Sequence, residues 1–211
     1  MRSNTEPTFT ERGRRDQIVA AALEIIAAGG YGQASVAKIA DHIGIAKSAV
    51  LYHFTTKSDI IEAAVATVMT QAASAIVSAV RTEHTATGKL AAYIRANVAF
   101  IAANRIPAVA MLDIVTSYRS SDGLRFDQAA AKPAGDDPPT GDLALLDPAA
   151  IFADGVGSGE FRPLSVTFMK NALRAALDGA VWEAARDPDY DVIAYGEELV
   201  TMFELTTRAQ R

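Results

Sequence analysis

Lys47, Ser48, Tyr52 and His53 share the outer side of a short predicted helix, and Lys57 opens the next one. These side chains donate hydrogen bonds or carry positive charge, which suits contact with phosphates and base edges better than bond making. At the start of its helix, Lys57 adds its charge to free backbone N–H groups, a ready anion site. Ser35 is expected both to cap the preceding helix and to contact DNA. Arg14 and Arg15, in a polar N-terminal arm with Arg12, are placed to follow a flanking phosphate backbone. Catalysis finds no comparable set: no paired carboxylates stand beside a base, and no nucleophile elbow occurs. The chain has no cysteine, which removes disulfides, thiolate zinc sites and cysteine nucleophiles together. His42, His53 and His84 are too scattered for a metal cluster. Gly155, Gly157 and Gly159 form a G-x-G-x-G with no Lys-Ser/Thr after it and no strand before it, which reads as a helix-ending turn. No catalytic residue, metal or cofactor is expected, and the chain is not read as an enzyme.

The elements that must position the polar set are helical. Ile18, Ala22, Ile25 and Ile26 make an apolar stripe that stops at Gly29-Gly30. Val36, Ile39, Ala40 and Ile43 line one short helix, Gly44 breaks it, and a second runs from about Ala46 to Phe54. Two short helices joined this tightly cross steeply. Ala40 gives room at the crossing, Gly44 tolerates a left-handed turn, and Ile39, Ile43, Ile45 and Val50 close a small core. This spacing matches a DNA-reading helix-turn-helix, the alternative being an ordinary helical hairpin. Thr56 and Asp59 form a capping box opening a helix to about Thr82, roughly 40 Å long at 1.5 Å per residue. Further helices are expected over about 89–104, 106–119, 165–186 and 191–208, with a short one after Asp147-Pro148. The stretch 120–141, rich in Ala, Gly, Asp and Pro, reads as a mobile loop or lid. No strand pattern appears, so the fold class is all-α.

From about Arg14 to Val65 the sequence resembles the DNA-binding domain of the TetR family. The segments "Ala34-Ser35-Val36-Ala37-Lys38-Ile39-Ala40", "Gly44-Ile45-Ala46-Lys47-Ser48" and "Leu51-Tyr52-His53-Phe54-Thr55-Thr56-Lys57-Ser58-Asp59-Ile60-Ile61" carry the likeness. It implies an N-terminal three-helix helix-turn-helix domain, residues 1–56, and a C-terminal helical domain for ligand binding and dimerisation, residues 57–211. It also implies a ligand-responsive transcriptional regulator, by the habit of the family a repressor. Such a homodimer would bind a palindromic operator in double-stranded DNA and be released by a small molecule. Two positions depart from the family pattern: Ala46 stands where a capping Ser or Thr is usual, and Leu51 where an aromatic is usual. The phosphate contact of that aromatic would pass to Tyr52.

The C-terminal region offers weaker signals. Ala172, Ala175, Ala176, Gly179 and Ala180 form a stripe of small residues. With Leu199 and Phe203 of the last helix they suggest an isologous four-helix interface, packing within the monomer being the alternative. Met69, Phe100, Met111, Tyr118, Phe168, Met169 and Trp182 are pocket candidates, each also compatible with plain core. Asp113, an acid inside an apolar run, must find a partner: Arg105, Arg119, or a cationic or hydroxylated ligand. The net charge of −5 divides unevenly, with seven Lys/Arg against six Asp/Glu in residues 1–60 and thirteen against nineteen thereafter. An acidic whole is therefore compatible with a DNA-facing N-terminal part. Ala63–Val80 is uncharged, but its Thr, Gln and Ser stripe reads as a soluble amphipathic helix, so no membrane partner is expected. The polar start of the chain points to the cytoplasm.

Overall fold

The computed structural model describes residues 9–119, 123–124 and 145–209. Among them lie nine α-helices: α1 Phe9–Gly29, α2 Val36–His42, α3 Lys47–His53, α4 Lys57–Arg81, α5 Ala86–Ala103, α6 Arg105–Ser117, α7 Pro148–Ser158, α8 Val166–Arg186 and α9 Val192–Thr207. A 3₁₀ turn, Tyr31–Gln33, follows α1. No strand occurs among the described residues; an isolated antiparallel bridge joins Phe161 and Arg208. The all-α expectation holds. The 120–141 loop falls outside the described residues apart from Gly123 and Leu124.

Local signals set most boundaries. The Ser35 hydroxyl accepts the Lys38 N–H at 3.2 Å and starts α2. The Thr56 N–H donates to Asp59 Oδ2 at 2.9 Å and the Asp59 N–H to Thr56 Oγ1 at 3.2 Å, a reciprocal cap for α4. Helix α5 begins earlier than its apolar pattern suggests. Thr85 caps it, and the Glu160 carboxylate accepts the Ala86 and Thr87 N–H groups at 3.1 and 3.0 Å. Asp147 caps α7 with Pro148 in the first turn. The arm expected around Arg12, Arg14 and Arg15 is instead part of α1, which is helical from Phe9.

The described residues form two compact units. One holds residues up to Val68 together with those from Val109 to Leu124; the other holds 69–108 and the residues from 145 onward. This division by packing falls inside α4 and α6 and differs from the split at 56/57 expected from the sequence. In the first unit Ile18, Ala22, Ile26, Ile39, Ala40, Val50, Ile60, Ile61 and Ala64 form the core, each at most 1% exposed. In the second, Phe152, Leu173, Phe203 and Ile94 are fully enclosed. By length and composition α4 is apolar enough to cross a membrane, with a mean hydropathy of 1.6 over its most apolar window. Its Ile60, Ile61 and Ala64 are nonetheless buried inside the first unit.

Two of the three glycines in the G-x-G-x-G do not end a helix. Gly155 and Gly157 lie within α7, and only Gly159, at φ +77°, ends it. A Cβ on Gly155 would stand 2.2 Å from the Phe161 ring, so this glycine exists to admit the ring.

Candidate nucleic-acid interface

The turn between α2 and α3 is built as its residue types require. Gly44 has φ +66°, its N–H donates to the Asp41 carbonyl at 3.2 Å, and the Ile45 N–H donates to the Ala40 carbonyl at 3.0 Å. Val50 anchors the inner side of α3 and is fully buried, as is Ile39 on α2. Ala46 supplies no side-chain cap. The other end of α3 is closed from α1. Arg15 Nη1 donates to the His53 carbonyl at 2.5 Å, and its guanidinium lies 4.0 Å from the centre of the Phe54 ring.

What remains outward on α3 is Lys47, Ser48, Ala49, Leu51 and Tyr52. Tyr52 is 75% exposed, edge-on to His53 at 5.0 Å, with its hydroxyl 3.5 Å from a Glu11 carboxylate oxygen. Leu51, which sequence alone marks only as a departure from the family pattern, is 42% exposed. An apolar side chain on a reading face suits a thymine methyl group. Its exposure follows from helical phase, one position past the buried Val50.

Other predicted contacts are redistributed. Arg14 is exposed and bonded to Gln17 at 2.6 Å, free of structural duty beyond α1. Arg15 is held against the end of α3 by its bond to the His53 carbonyl and its place over the Phe54 ring. Ser35 is the α2 cap, and His53 is half-buried. Lys57 does not simply project from the start of α4. Its Nζ donates to the Tyr31 carbonyl at 2.8 Å and sits 3.9 Å from the centre of the Tyr31 ring. Burial holds that amine below the usual lysine value and pushes the Tyr31 phenol up. Asp59 is held below the usual carboxylate range, chiefly by the Thr56 backbone N–H and then the Thr56 hydroxyl.

The family profile of "Bacterial regulatory proteins, tetR family" matches residues 18–64, a span that takes in α2, α3 and the start of α4. Residues 18–64 thus form a TetR-family N-terminal domain. The whole chain is 28% identical over 195 residues to the fatty acid metabolism regulator protein of Bacillus subtilis (strain 168), covering 91% of this chain and 94% of the relative. Two solved structures share its fold. FadR from Bacillus subtilis in complex with stearoyl-CoA has a TM-score of 0.69 at 23% identity, covering 92% of this chain and 99% of that one. FadR from Bacillus halodurans has a TM-score of 0.73 at 24% identity, covering 93% and 97%. The family model and the relative are both those of regulatory proteins.

The effector and dimer candidates occupy varied surroundings. Met69, Phe168 and Trp182 are 50%, 68% and 55% exposed, so within one chain they lie on the surface rather than inside a pocket. Phe100 and Met111 are half-buried, and Tyr118 and Met169 are buried. Asp113 makes neither expected ion pair. Its Oδ2 accepts the Tyr31 N–H and its Oδ1 the Ser117 hydroxyl at 3.1 Å. Arg105 instead donates to the carbonyls of Ala184, Asp187 and Tyr190, and Arg119 to those of Thr116 and Tyr118.

In the small-residue stripe, Ala180, Leu199 and Phe203 are core of the chain's own second unit, at 0%, 7% and 2% exposure. Gly179 and Ala176 accommodate α9. The Tyr195 hydroxyl donates to the Ala176 carbonyl at 2.8 Å, and a Cβ on Gly179 would stand 2.8 Å from that hydroxyl. Ala172 is half-buried and Ala175 exposed. The pattern signals close helix packing without signalling which helix approaches.

Proposed function

We propose that this chain is a cytoplasmic repressor that binds a palindromic operator as a homodimer and releases it when a long-chain acyl-CoA binds. The single observation behind the DNA-reading role is α3: its inner side and far end are fixed by Val50 and Arg15, while Lys47, Ser48, Leu51 and Tyr52 stand outward. Two such helices about 34–36 Å apart would read successive turns of a two-fold symmetric site. The acyl-CoA proposal is supported by the curated relative's role in fatty acid metabolism and by the stearoyl-CoA complex of a fold neighbour.

For the dimer, the exposed line Phe168, Ala175 and Trp182 on α8, seven residues apart, takes the place of the buried Ala180, Leu199 and Phe203. Two large aromatics flanking a small residue are suitable interface anchors. Arg174 and Asp178 lie four residues apart on the same helix, and a two-fold axis between them would pair each with the other's counterpart.

Fluorescence anisotropy on an operator duplex from the protein's own promoter tests this reading. Nanomolar, salt-sensitive binding with preference over random duplex is expected, with release by stearoyl- or palmitoyl-CoA and none by coenzyme A alone. No preference at any salt concentration would sink the DNA reading, whereas preference without release would sink only the acyl-CoA assignment. Trp182→Glu is expected to sediment as a monomer and to lose operator binding with it.

A further inference from the structure

The contacts around Tyr31 join three separate elements of the first unit. Tyr31 begins the 3₁₀ turn after α1, so its N–H has no partner within that turn. Asp113 of α6 takes it, and Ser117 one helical turn on steadies the same carboxylate. The Tyr31 carbonyl and ring face then hold the Lys57 ammonium, and the ring is braced edge-on by Tyr118 at 6.2 Å. An ammonium has three donors. One goes to the carbonyl, and the half-buried side chain keeps others for a phosphate. A lysine free in solvent must give up much rotamer freedom on binding, but one already held in place gives up less.

We propose that Asp113 is a positioning residue for DNA binding: by fixing the Tyr31 backbone it sets the carbonyl and ring that present the Lys57 ammonium to a duplex phosphate. This rests on the DNA-reading function above. It assigns to the acid in the apolar run 109–115 a structural partner 82 residues away rather than a ligand.

The test titrates the full-length protein against operator and scrambled duplexes at several potassium chloride concentrations. Lys57→Ala is expected to weaken both and to lower the salt slope by about one. Asp113→Ala should weaken both by roughly three- to tenfold and lower the slope toward the Lys57→Ala value. Asp113→Asn keeps an acceptor for the Tyr31 N–H and should bind as the parent does. Asp113→Ala combined with Lys57→Ala should bind no more weakly than Lys57→Ala alone. Should Asp113→Ala fail to fold, Tyr31→Leu removes the ring beneath the ammonium and should cost affinity only when Lys57 is present. An unchanged slope in Asp113→Ala, or losses that simply add to those of Lys57→Ala, would overturn the proposal while leaving DNA binding itself intact. A parent protein with no operator preference would instead remove the function on which it rests.

Discussion

The Lys47→Ala/Tyr52→Ala variant is expected to bind operator roughly a hundredfold more weakly than the parent: a Lys47–base pairing contributes about 1–3 kcal/mol, the phosphate contact of Tyr52 adds to it, and each tenfold is about 1.4 kcal/mol. Its melting temperature should stay within about 2 °C, because neither side chain supports the fold. Lys47 is exposed and opens α3, and Tyr52 is 75% exposed with its hydroxyl 3.5 Å from Glu11. The inner side of the helix carries its stability through Val50, which shares the buried core with Ile39 and Ala40. Gel shift and anisotropy read the affinity, and circular dichroism reads the melt. Normal operator binding by a well-folded double variant would mean that α3 does not face the duplex.

Gly155→Ala should have the largest effect on stability. In most helix interiors this exchange is favourable by about 1 kcal/mol. Here the added carbon would meet three atoms of the Phe161 ring at 2.2, 2.5 and 2.7 Å. The ring cannot easily withdraw. Phe161 is 3% exposed, packs 6.2 Å from Phe152, and its N–H donates to the Gly155 carbonyl at 2.9 Å. Overpacking of this kind costs about 1–3 kcal/mol. At about 2–4 °C per kcal/mol for a chain of this size, the midpoint should fall by several degrees, up to about 12 °C. Shortening the ring in Gly155→Ala/Phe161→Leu should recover part of that stability, giving a clear coupling in a double-mutant cycle. An unchanged midpoint for Gly155→Ala would show that the ring is free to move.

The contrast between these two sites explains what is legible without coordinates. The helix-turn-helix can be read because its determinants are local. Ala40, Gly44 and Val50 lie within eleven residues, and the Thr56–Asp59 cap announces the next helix from four. Asp187-Pro188 likewise marks the break between α8 and α9. Determinants that depend on distant neighbours stay hidden. Gly155 resembles a turn because Phe161 gives no local sign that its ring folds back. Small residues on α8 point to a close partner, yet nothing in their spacing separates Tyr195 of the same chain from a second subunit. Trp182 and Phe168 look like pocket lining because large apolar residues are usually enclosed, and nothing in their spacing announces their exposure. Lys57 stands out by position, but its hold on Tyr31 spans 26 residues and that of Asp113 spans 82.

The Arg15 clasp on the end of α3 carries a consequence for how such regulators diversify. Everything that keeps the helix in place sits behind it or beyond its last turn, so its outward side chains are nearly independent of the scaffold energetically. Substitutions at Lys47, Ser48, Leu51 and Tyr52 can therefore retune which promoter is recognised without eroding folding. After gene duplication, a handful of exchanges there would be enough for two copies to part ways in their targets while inheriting the same chemical sensor.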